Sequence, residues 1–257
     1  MNAFSCQPGG DTMPVIEVRN LRKTYGSTVA VDDVGFTVDE GEIFGILGPN
    51  GAGKSTTVEC LTGGESPDSG EIRILGRGPQ EHGRRRYELI GYQMQTSALP
   101  ATLRVHEAVT MFSALYPNPR DAAGLLDAVG MTADRKKPFG ALSGGQKQRL
   151  SVALALIGSP RIAVLDELTT GLDPEGRRDT WELIRDIRAS GVTIVLVTHS
   201  LDEAERLCDR LTVIDRGRTT ITATPGELIE ATGGGSLEDA YLNVLNTYRR
   251  IGKEQAA

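Results

Sequence analysis

The fold is decided by one short stretch of the chain, Gly48-Pro49-Asn50-Gly51-Ala52-Gly53-Lys54-Ser55. This stretch fits the pattern G-x-x-x-x-G-K-[ST]. The apolar run from Ile43 to Leu47 precedes it and predicts a buried strand, whereas Thr56 to Leu61 predicts the first turns of a helix. A strand, a glycine-rich loop and a helix in this order predict a loop that wraps around phosphate groups.

The predicted loop has three means of binding a triphosphate. Its glycines let successive backbone amides point inward, and the start of the helix adds a partial positive charge. Lys54 is placed to reach the β- and γ-phosphates, and the Ser55 hydroxyl to hold Mg²⁺. The alternative is a glycine-rich turn with an incidental Lys-Ser pair, which the flanking strand and helix disfavour. The sequence therefore predicts that the chain binds a nucleoside triphosphate.

Composition narrows the class of protein. The 257 residues are 39% hydrophobic and 24% charged, as in ordinary globular proteins, and the net charge of −6 gives no basic footprint for nucleic acid. The longest apolar run, Val192 to Val197, is far shorter than the ~18 residues of a membrane span. The three cysteines lack metal-ligand spacing, which favours free thiols in a reducing cytosol. We therefore expect any membrane role to depend on a partner.

Two carboxylates follow a second apolar run. Residues 162–165 are apolar and lead directly into Asp166 and Glu167. Because ligands bind at the carboxyl ends of strands in open α/β sheets, these side chains are candidates for phosphate chemistry. We expect Asp166 to hold Mg²⁺ through water and Glu167 to polarise the attacking water. Two adjacent acidic residues after a strand commonly serve only to cap the following loop. The phosphate loop upstream favours a role in phosphate chemistry here instead.

Three further features are candidates for the same chemistry. Leu142-Ser143-Gly144-Gly145-Gln146 opens a helix, and Ser143 is a good cap, so this segment predicts either a second anion site or a plain capped helix. His199 follows the strand that ends at Val197 and is placed to donate to a γ-phosphate. Tyr25, upstream of the phosphate loop, offers a ring on which a base can stack.

Periodicity divides the chain into segments. We expect a flexible terminus over residues 1–13, an ATPase domain over 14–230 with a helical subdomain at about 96–160, and a linker and helix over 231–257. Within them the pattern predicts the following elements: a strand over 15–19, a turn over 21–26, helices over 102–138, a hairpin over 211–223 and a last helix over 237–251.

The order of these motifs resembles the ATP-binding cassette (ABC) family, the nucleotide-binding subunits of ABC transporters. The stretch from Gly48 to Ser55 matches the family's Walker A loop, and Leu142 to Gln146 matches its signature sequence unaltered. The other matching residues are Tyr25 (adenine stacking), Gln95 (Q-loop, two residues after Gln93), Asp166 and Glu167 (Walker B), Asp173 (D-loop) and His199 (switch). The resemblance runs from about Val15 to Leu228.

This resemblance implies an α/β P-loop NTPase with a mostly parallel core sheet, an N-terminal antiparallel β subdomain and an inserted α-helical subdomain. It implies the cofactors ATP and Mg²⁺ and an ATPase reaction. The catalytic residues would be Lys54, Gln95, Glu167 and His199, and the metal ligands Ser55, Gln95 and Asp166. The nucleotide would contact Tyr25, the Walker A residues 48–55, Thr56, Ser143, Gly144, Gly145, Gln146 and Asp173.

The resemblance also implies an assembly. Two chains placed head-to-tail would sandwich two ATP molecules, each between one Walker A loop and the partner's signature, and a homodimer is the simpler expectation. Several segments, among them the late run from Ser236 to Tyr241, most resemble bacterial ABC-2-type exporters of drugs and antibiotics. We therefore expect a separate ABC-2-type membrane permease, a location at the cytoplasmic face of the cell membrane and no nucleic-acid partner.

One departure and three alternatives accompany this interpretation. Leu168 stands where the family usually has a proline, and we expect altered positioning of Glu167 with its chemistry retained. An importer ATPase and a soluble ABC-type protein acting on ribosomes or DNA remain as alternatives. A P-loop kinase or GTPase is disfavoured by the unaltered signature.

Overall fold

The computed structural model describes residues 13–93, 99–233 and 235–254. Within these ranges the chain has an α/β fold. The strands are β1 (Ile16–Tyr25), β2 (Thr28–Val38), β3 (Ile43–Leu47), β4 (Ser69–Ile74), β5 (Ile90–Gln93), β6 (Ile162–Asp166), β7 (Thr193–Thr198), β8 (Arg210–Asp215) and β9 (Arg218–Ala223). The α-helices are α1 (Lys54–Thr62), α2 (Arg86–Leu89), α3 (Val105–Ser113), α4 (Ala122–Ala128), α5 (Gly144–Leu156), α6 (Pro174–Ala189), α7 (Leu201–Leu207), α8 (Pro225–Thr232) and α9 (Leu237–Glu254).

The described residues divide into two compact units. The first combines the residues up to 82 with those from 196 onward, and the second spans residues 83–195. β1 to β4, α1 and the elements from α7 to α9 belong to the first unit, and α2 to α6 with β5 and β6 belong to the second. β7 begins in the second unit and ends in the first.

Six strands of the first unit follow the order β4-β1-β2-β9-β8-β3. Pairing is antiparallel between β1 and β2, between β1 and β4, and between β8 and β9, and it is parallel between β2 and β9 and between β3 and β8. β3 is buried along its whole length, which confirms the strand predicted from its apolar run. Burial on both faces is typical of a parallel strand, whose carboxyl end leads to a ligand-binding loop in α/β proteins.

The predicted turn over residues 21–26 is wrong. β1 continues to Tyr25, which pairs with Thr28, and the chain reverses at Gly26, whose φ is 59°. The pairing of β1 with β2 shifts in register after Val18 and again further along the strand. Each such bulge interrupts the alternation of inward and outward side chains, so the sequence pattern no longer identifies the strand.

The second unit confirms the helices predicted over residues 102–138, where α3 and α4 lie. Its strands β5 and β6 pair in parallel, with Gln93 opposite Leu165. α5 packs closely on β5, because the Ala155 carbonyl oxygen lies 2.0 Å from the position that a Cβ atom would take at Gly91. The close approach requires glycine at this point of the strand.

Helices α7 and α8 are not among the predictions from sequence. α8 nevertheless begins with a recognisable capping box, in which Thr224 Oγ1 accepts from the Glu227 amide at 3.1 Å and Glu227 Oε2 accepts from the Thr224 amide at 2.8 Å. Pro225 at the first turn strengthens this signal. The last helix is confirmed, and α9 extends it to Glu254.

Among the described residues, two cysteines are free and buried, Cys60 and Cys208. Burial raises the pKa of the Cys60 thiol to about 11, so this thiol stays protonated and unreactive at neutral pH. Cys6, the third cysteine, lies outside the described residues. Over the described ranges, no helix is both long enough and apolar enough to cross a bilayer.

Replacing Gly91 by alanine tests the close contact between α5 and β5. Gly91→Ala places a methyl group against the Ala155 carbonyl oxygen, so we expect a loss of about 1–3 kcal/mol in the free energy of unfolding. Gly226→Ala is the control, because a Cβ atom there meets nothing within 4 Å and alanine favours the helix. Urea unfolding of both variants provides the measurement, and an unchanged midpoint for Gly91→Ala would contradict the packing described.

Candidate functional site

Residues 48–53 form a loop between β3 and α1 whose path is set by close backbone packing. A Cβ atom added at Gly48 would lie 2.2 Å from the Ile214 carbonyl oxygen, and one added at Gly53 would lie 2.6 Å from the Ala30 carbonyl oxygen. Only glycine fits at both positions, and Gly53 also has a φ of 104°. The neighbouring strands therefore hold the loop in a fixed shape.

Lys54, the first residue of α1, lies over this loop. Its side chain is buried, and Nζ donates hydrogen bonds to the carbonyl oxygens of Gly48 at 2.7 Å and Pro49 at 3.2 Å. Gly53 precedes the helix and has no side chain that could cap it, and the first turn contains no acidic residue. The positive end of α1 and the Lys54 ammonium group thus combine in one place, which suits an anion such as a phosphate.

Tyr25 lies near α1 with its ring partly exposed. Its hydroxyl is 3.5 Å from Glu59 Oε2 on α1, and 45% of its surface is accessible. The Lys23 ammonium lies 5.3 Å from the centroid of the ring. A hydrogen bond to Glu65 raises the pKa of Lys23, so this side chain remains a cation at neutral pH. The ring is therefore held from two sides while keeping an exposed surface for stacking.

His199 follows β7 directly and is exposed. The residues on either side of it are anchored, since Thr198 Oγ1 accepts from the Ser200 amide at 3.0 Å and the Ser200 hydroxyl caps α7. The imidazole is thus carried by a short, fixed segment at the end of a buried strand. The first unit therefore contains Tyr25, the phosphate loop and His199.

Asp166 ends β6 in the second unit, as predicted, and is buried. Its backbone amide donates to Gln93 Oε1 at 3.0 Å, so the buried Gln93 side chain aligns the ends of β5 and β6. Gln93 therefore has a structural task, and the resemblance assigns the Q-loop to a different glutamine, Gln95. Gln95 itself lies outside the described residues.

Glu167 adopts a left-handed backbone conformation with a φ of 51°. For a residue other than glycine this conformation costs about 1–3 kcal/mol and is typical of functional sites. Leu168 is fully buried, so apolar packing anchors the residue after Glu167. A proline at position 168 would direct the preceding backbone toward extended conformations, whereas leucine imposes no such restriction.

Ser143 caps α5, which confirms the cap predicted from sequence. Its hydroxyl accepts from the Gln146 amide at 3.2 Å, and Gln146 Oε1 accepts from the Ser143 amide at 3.0 Å. Gln146 Nε2 donates to Asp134 at 2.8 Å, and Asp134 is paired in turn with Lys137 at 2.6 Å. The side-chain oxygen and nitrogen of Gln146 therefore both form hydrogen bonds. Asp134 fixes the orientation of this side chain, which closes the capping box.

A cavity of about 430 Å³ opens beside the start of α5. Ser143, Gly144 and Gly145 line it together with Asp173, which caps α6 by accepting from the Gly176 amide at 2.7 Å. The second unit thus brings the predicted signature and D-loop residues together in one polar cleft. The amides at a helix start can bind phosphate oxygens in such a cleft.

Comparison with known proteins identifies the family. The sequence model described as "ABC transporter" matches residues 31–170, which is more than half of the chain. The chain belongs to the ABC transporter family. The fold and the ATPase activity expected from the motifs are thereby confirmed at the level of the family.

Several relatives and solved structures agree with this assignment. The chain is 40% identical over 249 residues to Nod factor export ATP-binding protein I of Ralstonia nicotianae, covering 95% of this chain and 78% of the relative. It is also 40% identical to the protein of that name from Rhizobium johnstonii, covering 91% and 77%. A solved ATP-binding subunit of an ABC transporter superposes with a TM-score of 0.79 at 28% identity, covering 90% of this chain and 99% of that one.

Three residues that contribute to the arrangement are not among the predictions from sequence. Asp134, Lys23 and Gly217 each act through another residue, respectively Gln146, Tyr25 and Ala52. Strand alternation gave no usable signal for Lys23 and Tyr25, because a register shift of β1 lies between Lys23 and Thr24. Asp134 and Gly217 offered none, because their partners are distant in sequence.

Removing the Asp134 carboxylate tests how the capping box is held. Asp134→Ala leaves the side-chain Nε2 of Gln146 without this acceptor, which weakens the capping box. A lost hydrogen bond of about 0.5–1.5 kcal/mol corresponds to roughly 2- to 10-fold faster exchange of the backbone amides of Ser143 and Gln146. Hydrogen exchange followed by mass spectrometry measures this rate. Asp186→Ala is the matched control on an exposed face of α6, and equal exchange in both variants would contradict the role given to Asp134.

Proposed function

We propose that this protein is the ATP-hydrolysing subunit of an ABC exporter that moves a small molecule, such as a drug, an antibiotic or a lipid-like compound. The main support is the similarity to export ATP-binding proteins, which extends over nearly the whole chain at 40% identity. Those relatives are named for Nod factor export. Their names do not determine the cargo moved with this chain, because the contacts with cargo lie in the membrane subunit. The phosphate loop and the intact signature support the ATP chemistry.

The proposed partner is an ABC-2-type permease, with the ATPase at the cytoplasmic face of the membrane. Membership of the ABC transporter family and the similarity to export ATP-binding proteins support a membrane partner. Gln95 and the helical segment after it are proposed to report the presence of the γ-phosphate to this permease. The resemblance in the run from Ser236 to Tyr241 supports the ABC-2 type.

The proposed active assembly is a head-to-tail homodimer with two ATP sites. Each chain offers phosphate two separate sets of helix-start amides, one after Gly53 and one after Ser143, and they lie in different units. In the dimer, each ATP lies between the phosphate loop of one chain and the signature of its partner, so the triphosphate holds the chains together. Hydrolysis removes that link and lets the dimer open.

The residues proposed for the reaction have distinct tasks. Lys54 binds the β- and γ-phosphates, and Tyr25 stacks on the base. Glu167 accepts a proton from the attacking water, and its strained backbone supports an assignment to a functional site. His199 donates a hydrogen bond to the γ-phosphate.

Mg²⁺ is the metal proposed to accompany ATP. The donor chemistry fits this ion, because the exposed Ser55 hydroxyl and the buried Asp166 carboxylate offer the oxygen ligands that it prefers. When bound, the ion would neutralise the charge that develops on the phosphates.

Glu167→Gln tests both the reaction and the partner. The amide cannot accept the proton of water, so we expect ATP to bind normally and turnover to fall by about 10²- to 10⁴-fold. Phosphate release and equilibrium binding of ATP measure the two effects. Glu182→Gln, an exposed substitution of the same kind outside the cleft at the signature, is the control, and turnover near the wild-type rate in Glu167→Gln would move the base to another residue.

The same variant, held in its ATP-bound form, is then used to capture partners from gently solubilised native membranes. Recovery of a polytopic ABC-2-type protein would support the exporter. Recovery of a permease together with a substrate-binding protein would favour an importer instead. Recovery of ribosomes or nucleic acid without a membrane protein would overturn the transport function and leave the ATP chemistry intact.

Ser143→Arg tests the sandwich dimer. The long cation removes the α5 cap and fills the cleft at the signature, so we expect ATP-dependent dimerisation to be lost while each chain still binds ATP. Sedimentation velocity in the Glu167→Gln background measures the dimer, with Ser190→Arg as a charge-matched control at the exposed end of α6. A dimer that persists in Ser143→Arg would exclude the signature from the interface.

A further inference from the structure

The C-terminal helix α9 is tied by one ion pair to the strand that flanks the phosphate loop. Arg249 donates two hydrogen bonds of 2.9 Å to Asp215, from Nε to Oδ2 and from Nη2 to Oδ1. This paired geometry gives a strong and directional contact between guanidinium and carboxylate. Asp215 is only 1% exposed, whereas the Arg249 side chain is 38% exposed, so the pair joins a buried carboxylate to a partly exposed guanidinium.

Asp215 is the last residue of β8 and leads into a tight turn. Arg216 and Gly217 have φ values of 51° and 75°, which is the conformation of a two-residue hairpin turn between β8 and β9. Asp215 pairs across this turn with Arg218. The residue that carries the buried carboxylate is therefore also the residue that opens the turn.

The turn is in direct contact with the phosphate loop. The Gly217 amide donates to the Ala52 carbonyl oxygen at 2.8 Å, and the Gly217 carbonyl oxygen accepts from the Asp32 amide at 2.8 Å. One residue before Asp215, the Ile214 carbonyl oxygen occupies the space beside Gly48. The end of β8 and the turn thus press on the loop at two points, Gly48 and Ala52.

Arg249 balances the buried charge at this junction. In the described part of the chain, both hydrogen bonds to the Asp215 carboxylate come from Arg249. A buried carboxylate without its partner is strongly unfavourable, so loss of Arg249 would drive Asp215 toward solvent and displace the turn. A displacement there reaches the phosphate loop directly.

We propose that Arg249 is a positioning residue for ATP binding, which acts through Asp215 to hold the Arg216-Gly217 turn against the phosphate loop. The C-terminal helix thereby sets the affinity of the loop for ATP. This role rests on ATP binding by the family fold, and it holds whether the transported molecule leaves or enters the cell.

Coupling of this kind is reciprocal. If docking of α9 raises the affinity for ATP by some factor, ATP binding must strengthen docking of α9 by the same factor. The wild-type protein can therefore test the proposal without any substitution. ATP should protect the amides around Arg249 from hydrogen exchange, although none of the residues proposed to contact the nucleotide lies on α9.

The first test compares two neighbouring arginines in the full-length chain. Arg249→Gln removes the guanidinium group and its two hydrogen bonds to Asp215. We expect ATP to bind about 5- to 20-fold more weakly, with turnover at saturating ATP changed less than about 3-fold. Arg250→Gln is the matched control, because it makes the same change on the exposed face of the same helix, and its affinity should stay within about 2-fold of wild type. Arg249→Lys keeps the positive charge but cannot form the paired hydrogen bonds to Asp215, and it should recover part of the affinity for ATP.

A double variant separates positioning from loss of stability. Asp215→Asn/Arg249→Gln removes both charges, so no buried carboxylate is left unpaired and the fold should be retained even if Arg249→Gln alone does not fold. We expect this variant to unfold near the wild-type urea midpoint and still to bind ATP more weakly. Wild-type affinity in this double variant, or in folded Arg249→Gln, would overturn the proposal.

Hydrogen exchange supplies the independent readout. In wild type, saturating ATP should slow exchange in the last turns of α9, and in the double variant this effect should vanish while protection of the phosphate loop remains. An α9 that exchanges at the same rate with and without ATP in wild type would also overturn the proposal.

Discussion

The structure depends on the close contact between the phosphate loop and the backbone beside it. At Gly48 and Gly53 the neighbouring carbonyl oxygens of Ile214 and Ala30 come so near that no side chain fits. Lys54 completes the loop from within by donating to two of its carbonyl oxygens. The loop is therefore shaped by the strands around it, so its amides need little reorganisation when a triphosphate binds.

The second unit uses different means to the same end. There the signature is held by side-chain hydrogen bonds, in which Ser143 caps α5 and Asp134 orients Gln146. Asp166 is aligned by the buried Gln93 amide, and the adjoining Glu167 carries backbone strain that the buried Leu168 helps to maintain. The residues proposed to bind ATP are thus held by glycine packing in the first unit, and by capping and burial in the second.

The proposed role of α9 extends this network to the end of the chain. A helix that carries none of the residues proposed to contact ATP reaches the phosphate loop through Arg249, Asp215 and Gly217. Small changes in how α9 docks would then alter the affinity for ATP without altering any residue that touches the nucleotide. Such a route suits control by whatever contacts α9 in the assembled transporter.

The sequence by itself determined the phosphate loop, the signature, the Asp166-Glu167 pair, the fold class and the family, because these features depend on contiguous residues. It also predicted most strands and helices, and it failed over residues 21–26, where bulges in β1 break the alternation of side chains. Only the tertiary structure revealed the tasks of Asp134, Gln93 and Arg249. Their partners lie 12, 73 and 34 residues away, and contacts over such distances are fixed by packing, which no local pattern records.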